Sequence, residues 1–128
     1  MNDGSAPRHE PTILIVEDDV DVREAYQDVL DQAGYHVVTA ANGRIALDWL
    51  HHVDDAPAMI VLDLMMPVMD GWQFRLELGK DEGLAGIPVV VVTAHRDDPG
   101  IECVARLLKP VALADLLSAV AQVVGAPS

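Results

Sequence analysis

The sequence predicts a single doubly wound α/β domain, and three observations carry that expectation. Short β-branched runs alternate with stretches of helical periodicity along most of the chain, the pattern of right-handed βαβ crossovers around a parallel sheet. At 128 residues the chain has the length of one ordinary domain, and folding hides roughly two-thirds of its extended surface without help from disulfides or metal. Polar side chains stand directly after the apolar runs, where a parallel sheet presents the carboxyl ends of its strands.

Residues 1–11 hold Gly4, Pro7 and Pro11 among polar neighbours and are expected to form a flexible tail. Thr12–Val16 is a β-branched run suited to a strand buried on both faces. From Val22, apolar residues recur at Ala25, Tyr26, Val29, Leu30 and Ala33, a helical spacing that Gly34 ends. His36–Ala40 reads as a strand, Asn42-Gly43 as a turn, and residues 45–52 as a helix through Ala46, Trp49 and Leu50. Residues 58–62 predict the third strand, residues 72–78 a helix ending near Gly79, and residues 87–93 the most apolar and most central strand. A last strand over 104–108 and a helix over 112–124 complete a domain spanning 12–125, with a short tail at 126–128. Five strands with about five helices between and after them fit one doubly wound sheet.

Composition narrows the function. The 21 acidic residues exceed the 8 Lys and Arg by enough to give a formal charge of −13, and no basic run offers a footing for a phosphate backbone, so direct nucleic-acid binding is not expected. Cys103 is the single cysteine, which excludes an internal disulfide or a multi-thiolate metal site. No apolar stretch is long enough to span a bilayer, and the polar start lacks a signal region; a cytoplasmic location is expected.

The strand-end rule selects Glu17, Asp18 and Asp19 after the first strand, Asp63 after the third, Thr93 after the fourth and Lys109 after the fifth. In the flavodoxin-like order 2-1-3-4-5, the first and third strands are neighbours and Glu17, Asp18 and Asp63 crowd into one cleft. Carboxylates so placed repel by several kcal/mol unless one is protonated or a cation binds. A set of hard oxygen ligands suits Mg²⁺, which commonly shares its shell with phosphate. Lys109 supplies a point charge for a phosphoryl oxygen and Thr93 a hydroxyl. Together these residues describe a phosphoryl-transfer site with a carboxylate as the nucleophile.

The segments ILIVEDD (13–19), DLMMPVMDG (63–71), VVVTA (90–94) and LLKP (107–110) closely resemble the receiver domain of two-component response regulators, over nearly the whole chain. The resemblance implies that Asp63 accepts a phosphoryl group from a histidine kinase or a histidine phosphotransfer protein and that a downstream protein target reads the result. It implies Mg²⁺ held by Glu17, Asp18, Asp63 and the backbone carbonyl of Met65. Thr93 matches the switch hydroxyl, Lys109 the phosphate-pairing lysine, and Pro110 the proline that follows a cis peptide. Met65 and His95, each two residues past a site residue, would face water attacking the phosphoryl group. Two departures stand out. Arg106 occupies a position that is usually aromatic, and its charge is expected in water or against Glu102 or Asp98. The stretch from Thr93 to Lys109 is shorter than the family pattern, so the fourth helix should be shortened, and Pro99-Gly100 would break a longer one.

Plainer roles account for other residues. Asp19 suits the amino end of the following helix, and Asp70-Gly71 suits turn chemistry opening another. Cys103, Trp49, Trp72 and the methionines at 65, 66 and 69 suit packing. His51 and His52 are neighbours on a helix and diverge. The leading expectation is a phosphorylatable signalling domain that acts catalytically only on itself. The alternative is a constitutive interaction module with a vestigial acidic site. A metal-dependent phosphohydrolase would carry a second acid two residues after its nucleophile, where Met65 stands.

Overall fold

The computed structural model describes residues 11–94 and 100–126. Residues 1–10 and 127–128, and with them nearly all of the two expected tails, lie outside the described residues, as do His95 and Asp98.

Five strands form one parallel sheet: β1 (Thr12–Val16), β2 (His36–Ala40), β3 (Met59–Asp63), β4 (Val89–Thr93) and β5 (Ala105–Leu108). Their order is β2-β1-β3-β4-β5, as expected. Four helices are present among the described residues: α1 (Val20–Gln32), α2 (Gly43–His52), α3 (Gly71–Gly79) and α4 (Leu113–Val124). The shortened helix expected between β4 and β5 has no described counterpart. Gly100 to Val104 run without helical structure, and residues 95–99 lie outside the described residues.

Alternation along the strands divides the core in two. Leu14, Val16, Ile60, Leu62 and Val91 face α2 and α3, meeting Ala46, Leu50, Phe74 and Leu78. Ile13, Ile15, Val61, Val90 and Val92 face the other way, against Tyr26, Leu30, Leu116 and Val120 of α1 and α4. Strands β3 and β4 are buried at every position, which explains their continuous apolar runs, whereas β5 at the edge is only half-covered. β4 begins two residues later than expected because Pro88 has no N–H to give a ladder; its carbonyl instead accepts from Ile60 N at 2.9 Å.

Local chemistry fixes the helix ends that matter for the site. Asp19 caps α1, accepting from the amides of Asp21 and Val22 at 2.9 and 3.2 Å. Asp70 and Gln73 form a reciprocal capping box at the start of α3. At the opposite end of the sheet, the Tyr35 hydroxyl donates to the Gly125 carbonyl at 2.9 Å and ties the end of α4 to the start of β2.

Candidate functional site

The site lies at the carboxyl ends of β1, β3, β4 and β5. Asp63 is the last residue of β3, one residue further along the strand than expected, in register with Val92 of β4. That position leaves the residue 3% exposed. Glu17 follows β1 directly, held by its amide to the Ala40 carbonyl at 3.0 Å, and is buried with Asp63. Asp18 is exposed at the mouth. One carboxylate oxygen from each of Glu17, Asp18 and Asp63 lies within 4.8 Å of the others. Thr93 is fully buried at the end of β4, paired in register with Leu108. Lys109 follows β5, its amide donating to the Thr93 carbonyl at 2.8 Å, and the Lys109–Pro110 peptide is cis.

Lys109 is the central cation. Its Nζ stands 3.0 Å from Glu17 Oε1 and 3.5 Å from Asp63 Oδ1. That buried oxygen meets Lys109 as an ion pair and has no hydrogen-bond partner. Burial pulls the lysine down, but its contact with Glu17 and the nearby Asp63 carboxylate outweigh burial and hold it above its ordinary value. Asp63 moves the other way from a normal acid. Burial first, then the Glu17 carboxylate, push it up to about 7, against the opposing pull of Lys109 and of the Met65 amide, which donates to Oδ1 at 3.3 Å.

A divalent cation fits this arrangement. Glu17 Oε1 is buried with hydrogen-bonding capacity unspent, two of the acids are enclosed, and the donors are all hard oxygens. Their span is close to the roughly 4.2 Å width of an octahedral oxygen shell around Mg²⁺. Among the described residues no other group of three metal-ligating side chains comes together. His51 instead lies 3.8 Å from Asp81, and His52 bonds the Asp48 carbonyl at 2.6 Å.

Some contributors escaped the strand-end rule. Arg23 of α1 donates to the Glu17 carbonyl at 2.9 Å and reaches the Asp18 carbonyl at 3.5 Å, clasping the turn that presents both acids. Its only sequence signal is a basic residue six positions after Glu17. Tyr26 is buried beside the site, and burial pushes its hydroxyl up to about 12, so it stays neutral. Gly71 permits a close crossing. A Cβ there would lie 2.7 Å from Leu64 Cα and 2.9 Å from the Asp63 carbonyl oxygen, so its role extends beyond opening α3. Of the partners expected for Arg106, Glu102 pairs with Arg75 at 2.9 Å and Asp98 lies outside the described residues. Arg106 is half-buried, and its enclosed Nη1 has no hydrogen-bond partner.

The family described as the response regulator receiver domain matches residues 13–121. Response regulator Rre1 of Synechocystis sp. is 40% identical over 85 residues, covering 66% of this chain and 36% of that protein. The transcriptional regulatory protein AfsQ1 of Streptomyces coelicolor is 35% identical over 88 residues, covering 69% of this chain and 37% of that protein. The chain spans about a third of the length of the curated relatives it matches. Among solved structures, the signal receiver domain of a signal transduction histidine kinase from Syntrophus aciditrophicus superposes with a TM-score of 0.81 at 29% identity, covering 88% of this chain and 89% of that one. The phosphorylated cyanobacterial phytochrome response regulator RcpA does so at 0.74 and 27%, covering 86% and 88%. A family match of that extent, on a sheet with the expected strand order and acidic edge, makes the chain a member of the response regulator receiver domains of two-component signalling.

Proposed function

We propose that Asp63 accepts a phosphoryl group from the phosphohistidine of a histidine kinase or a histidine phosphotransfer protein, and that the phosphorylated chain is then read by a protein target. The carrying observation is a buried carboxylate with a lysine ammonium 3.5 Å away and two further acids in reach of one cation. An Asp63 oxygen attacks phosphorus, the P–N bond breaks, and the imidazole nitrogen departs with the electron pair. Lys109 leaves Glu17 to pair with a phosphoryl oxygen, and the Thr93 hydroxyl offers a further hydrogen bond. Glu17, Asp18, Asp63 and the Met65 carbonyl would hold Mg²⁺, whose charge offsets that of the incoming phosphate. The chain acts catalytically only on itself, since the group it transfers ends on its own side chain. The solved phosphorylated relative supports this reading; that the homologous regulators are longer leaves nucleic-acid binding to parts beyond the matched region.

Treatment with acetyl phosphate and Mg²⁺, followed by intact mass, tests the proposal. One phosphoryl group on the wild type and none on Asp63→Asn is the expected result. No adduct on the wild type would favour a vestigial interaction module, and rapid release of many equivalents of phosphate would favour a hydrolase.

A further inference from the structure

Glu17 and Asp18 are held in place by different means. Glu17 is fixed through its own side chain: Oε2 accepts from the Asp19 amide at 3.1 Å, and Oε1 faces Lys109 Nζ at 3.0 Å. The Asp18 carboxylate is exposed, and among the described residues it makes no hydrogen bond or ion pair. Its direction is therefore set by its backbone. The peptide groups on either side of Asp18 carry the Glu17 and Asp18 carbonyls, and both accept from the same Arg23 nitrogen, Nη1, at 2.9 and 3.5 Å. Peptide groups are planar, so a donor that holds both carbonyls restricts the two soft dihedrals of Asp18, and with them the line of its Cα–Cβ bond. The guanidinium is anchored in turn. Arg23 lies near the start of α1, its amide donates to the Asp19 carbonyl at 2.9 Å, and the Asp19 side chain caps that helix.

We propose that Arg23 is a positioning residue for the cation: its clasp on the two carbonyls keeps the Asp18 carboxylate aimed into the cluster with Glu17 and Asp63, and so sets the affinity for Mg²⁺. The proposal rests on the reading of that cluster as a Mg²⁺ site and adds an outer residue to it. Mg²⁺ demands a nearly ideal octahedron at short distances, so a ligand free to swing is a poor one. The sign of the effect separates positioning from charge. A guanidinium near a cation site repels the cation, so removing the charge alone would tighten binding. Losing the clasp weakens it. Lysine is not an equivalent replacement, since a compact ammonium lacks the fixed fork of the guanidinium.

Mg²⁺ titrations of the unphosphorylated chain, followed by backbone amide shifts at constant ionic strength, test this. Arg23→Met keeps most of the aliphatic stem and the helix propensity but donates nothing. It should raise the Kd about tenfold, the lower end of what the outer partners of metal ligands contribute. Arg23→Lys should raise it by a smaller factor, because its charge and one donor centre remain. A cycle with Asp18→Ala then asks whether Arg23 acts through that carboxylate: in the Asp18→Ala background, Arg23→Met should add less than about twofold. An unchanged or lower Kd in Arg23→Met would overturn the proposal and leave the metal site standing. A tenfold rise that persists in the Asp18→Ala background would overturn it as well. Should Arg23→Met fail to fold, the same cycle run with Arg23→Lys decides, and full additivity there overturns the proposal. No Mg²⁺ response in the wild type would sink the metal reading and the proposal together.

Discussion

The two flanks of the cleft are built to different standards. On the β1–β3 side three backbone approaches are fixed: Glu17 is pinned to Ala40, Arg23 clasps the β1–α1 turn, and Gly71 lets the start of α3 pass against Leu64. On the β4–β5 side the edge strand is half-covered, Val104 is exposed, and Arg106 encloses an unpartnered Nη1. The contrast separates two tasks. Holding repelling carboxylates together requires a rigid frame, because each group must stay where its desolvation is tolerated. Among the described residues the far edge carries no such cluster, and Arg106 stands there where the resembled family usually has an aromatic residue.

Four experiments can break or sharpen that contrast, the largest effect first. Asp63 binds a proton more tightly when folded, near pH 7, than its ordinary value of 3.8 allows in the unfolded chain. Between those values the native state holds more protons, so without divalent ions stability should fall by a few kcal/mol as pH rises from about 4 to about 7. Asp63→Asn should flatten that part of the curve and melt higher than the wild type at pH 8. A wild-type curve that climbs across the same interval would contradict the assigned environment of Asp63.

Glycine substitutions compare the flanks directly. Gly71→Ala should cost about 2–3 kcal/mol, since its Cβ meets backbone at 2.7 Å. Gly100→Ala, where a Cβ meets nothing within 4 Å, should stay within about 0.5 kcal/mol. Urea midpoints for the two variants measure the difference, and similar losses would erase the distinction between rigid and permissive sides.

Mg²⁺ should raise the melting temperature of the wild type, by an amount equivalent to about 2–3 kcal/mol at a hundredfold excess over Kd. Asp18→Ala should remove most of the increment, because it deletes the exposed carboxylate of the cluster without disturbing the buried pair. An undiminished response would place the ion elsewhere. The smallest effect belongs to the edge: Arg106→Leu should gain about 1 kcal/mol by removing an unsatisfied buried nitrogen. A clear loss on thermal melting would mean that the guanidinium is better satisfied than its surroundings indicate.

Which residues were legible in the sequence follows the same division. Glu17, Asp18, Asp63, Thr93 and Lys109 stand at strand ends, and a doubly wound sheet carries strand ends to one edge, so position along the chain sufficed to group them. Asp19 revealed its capping role by standing next to a helical period. Arg23 and Tyr26 did not stand out, because within α1 one reads as solvated face and the other as core; their bearing on the site depends on how the β1–α1 turn closes. Gly71 was legible as turn chemistry, whereas its need to clear Leu64 is a distance between segments. The β4–β5 connection resisted because no period runs through residues 100–104, and the surroundings of Arg106 depend on neighbours brought by the fold.

The bond from Tyr35 to Gly125 has a mechanical consequence. It joins positions ninety residues apart at the amino ends of the strands, the end of the sheet remote from the carboxylates. Tension applied to the chain after Gly125 is therefore taken up first at the corner between α1 and β2, before it can reach Lys109 through α4. A reporter or surface tether fastened behind that glycine would leave the entrance to the cleft clear. Tyr35→Phe would lengthen the lever, passing the same pull into α4.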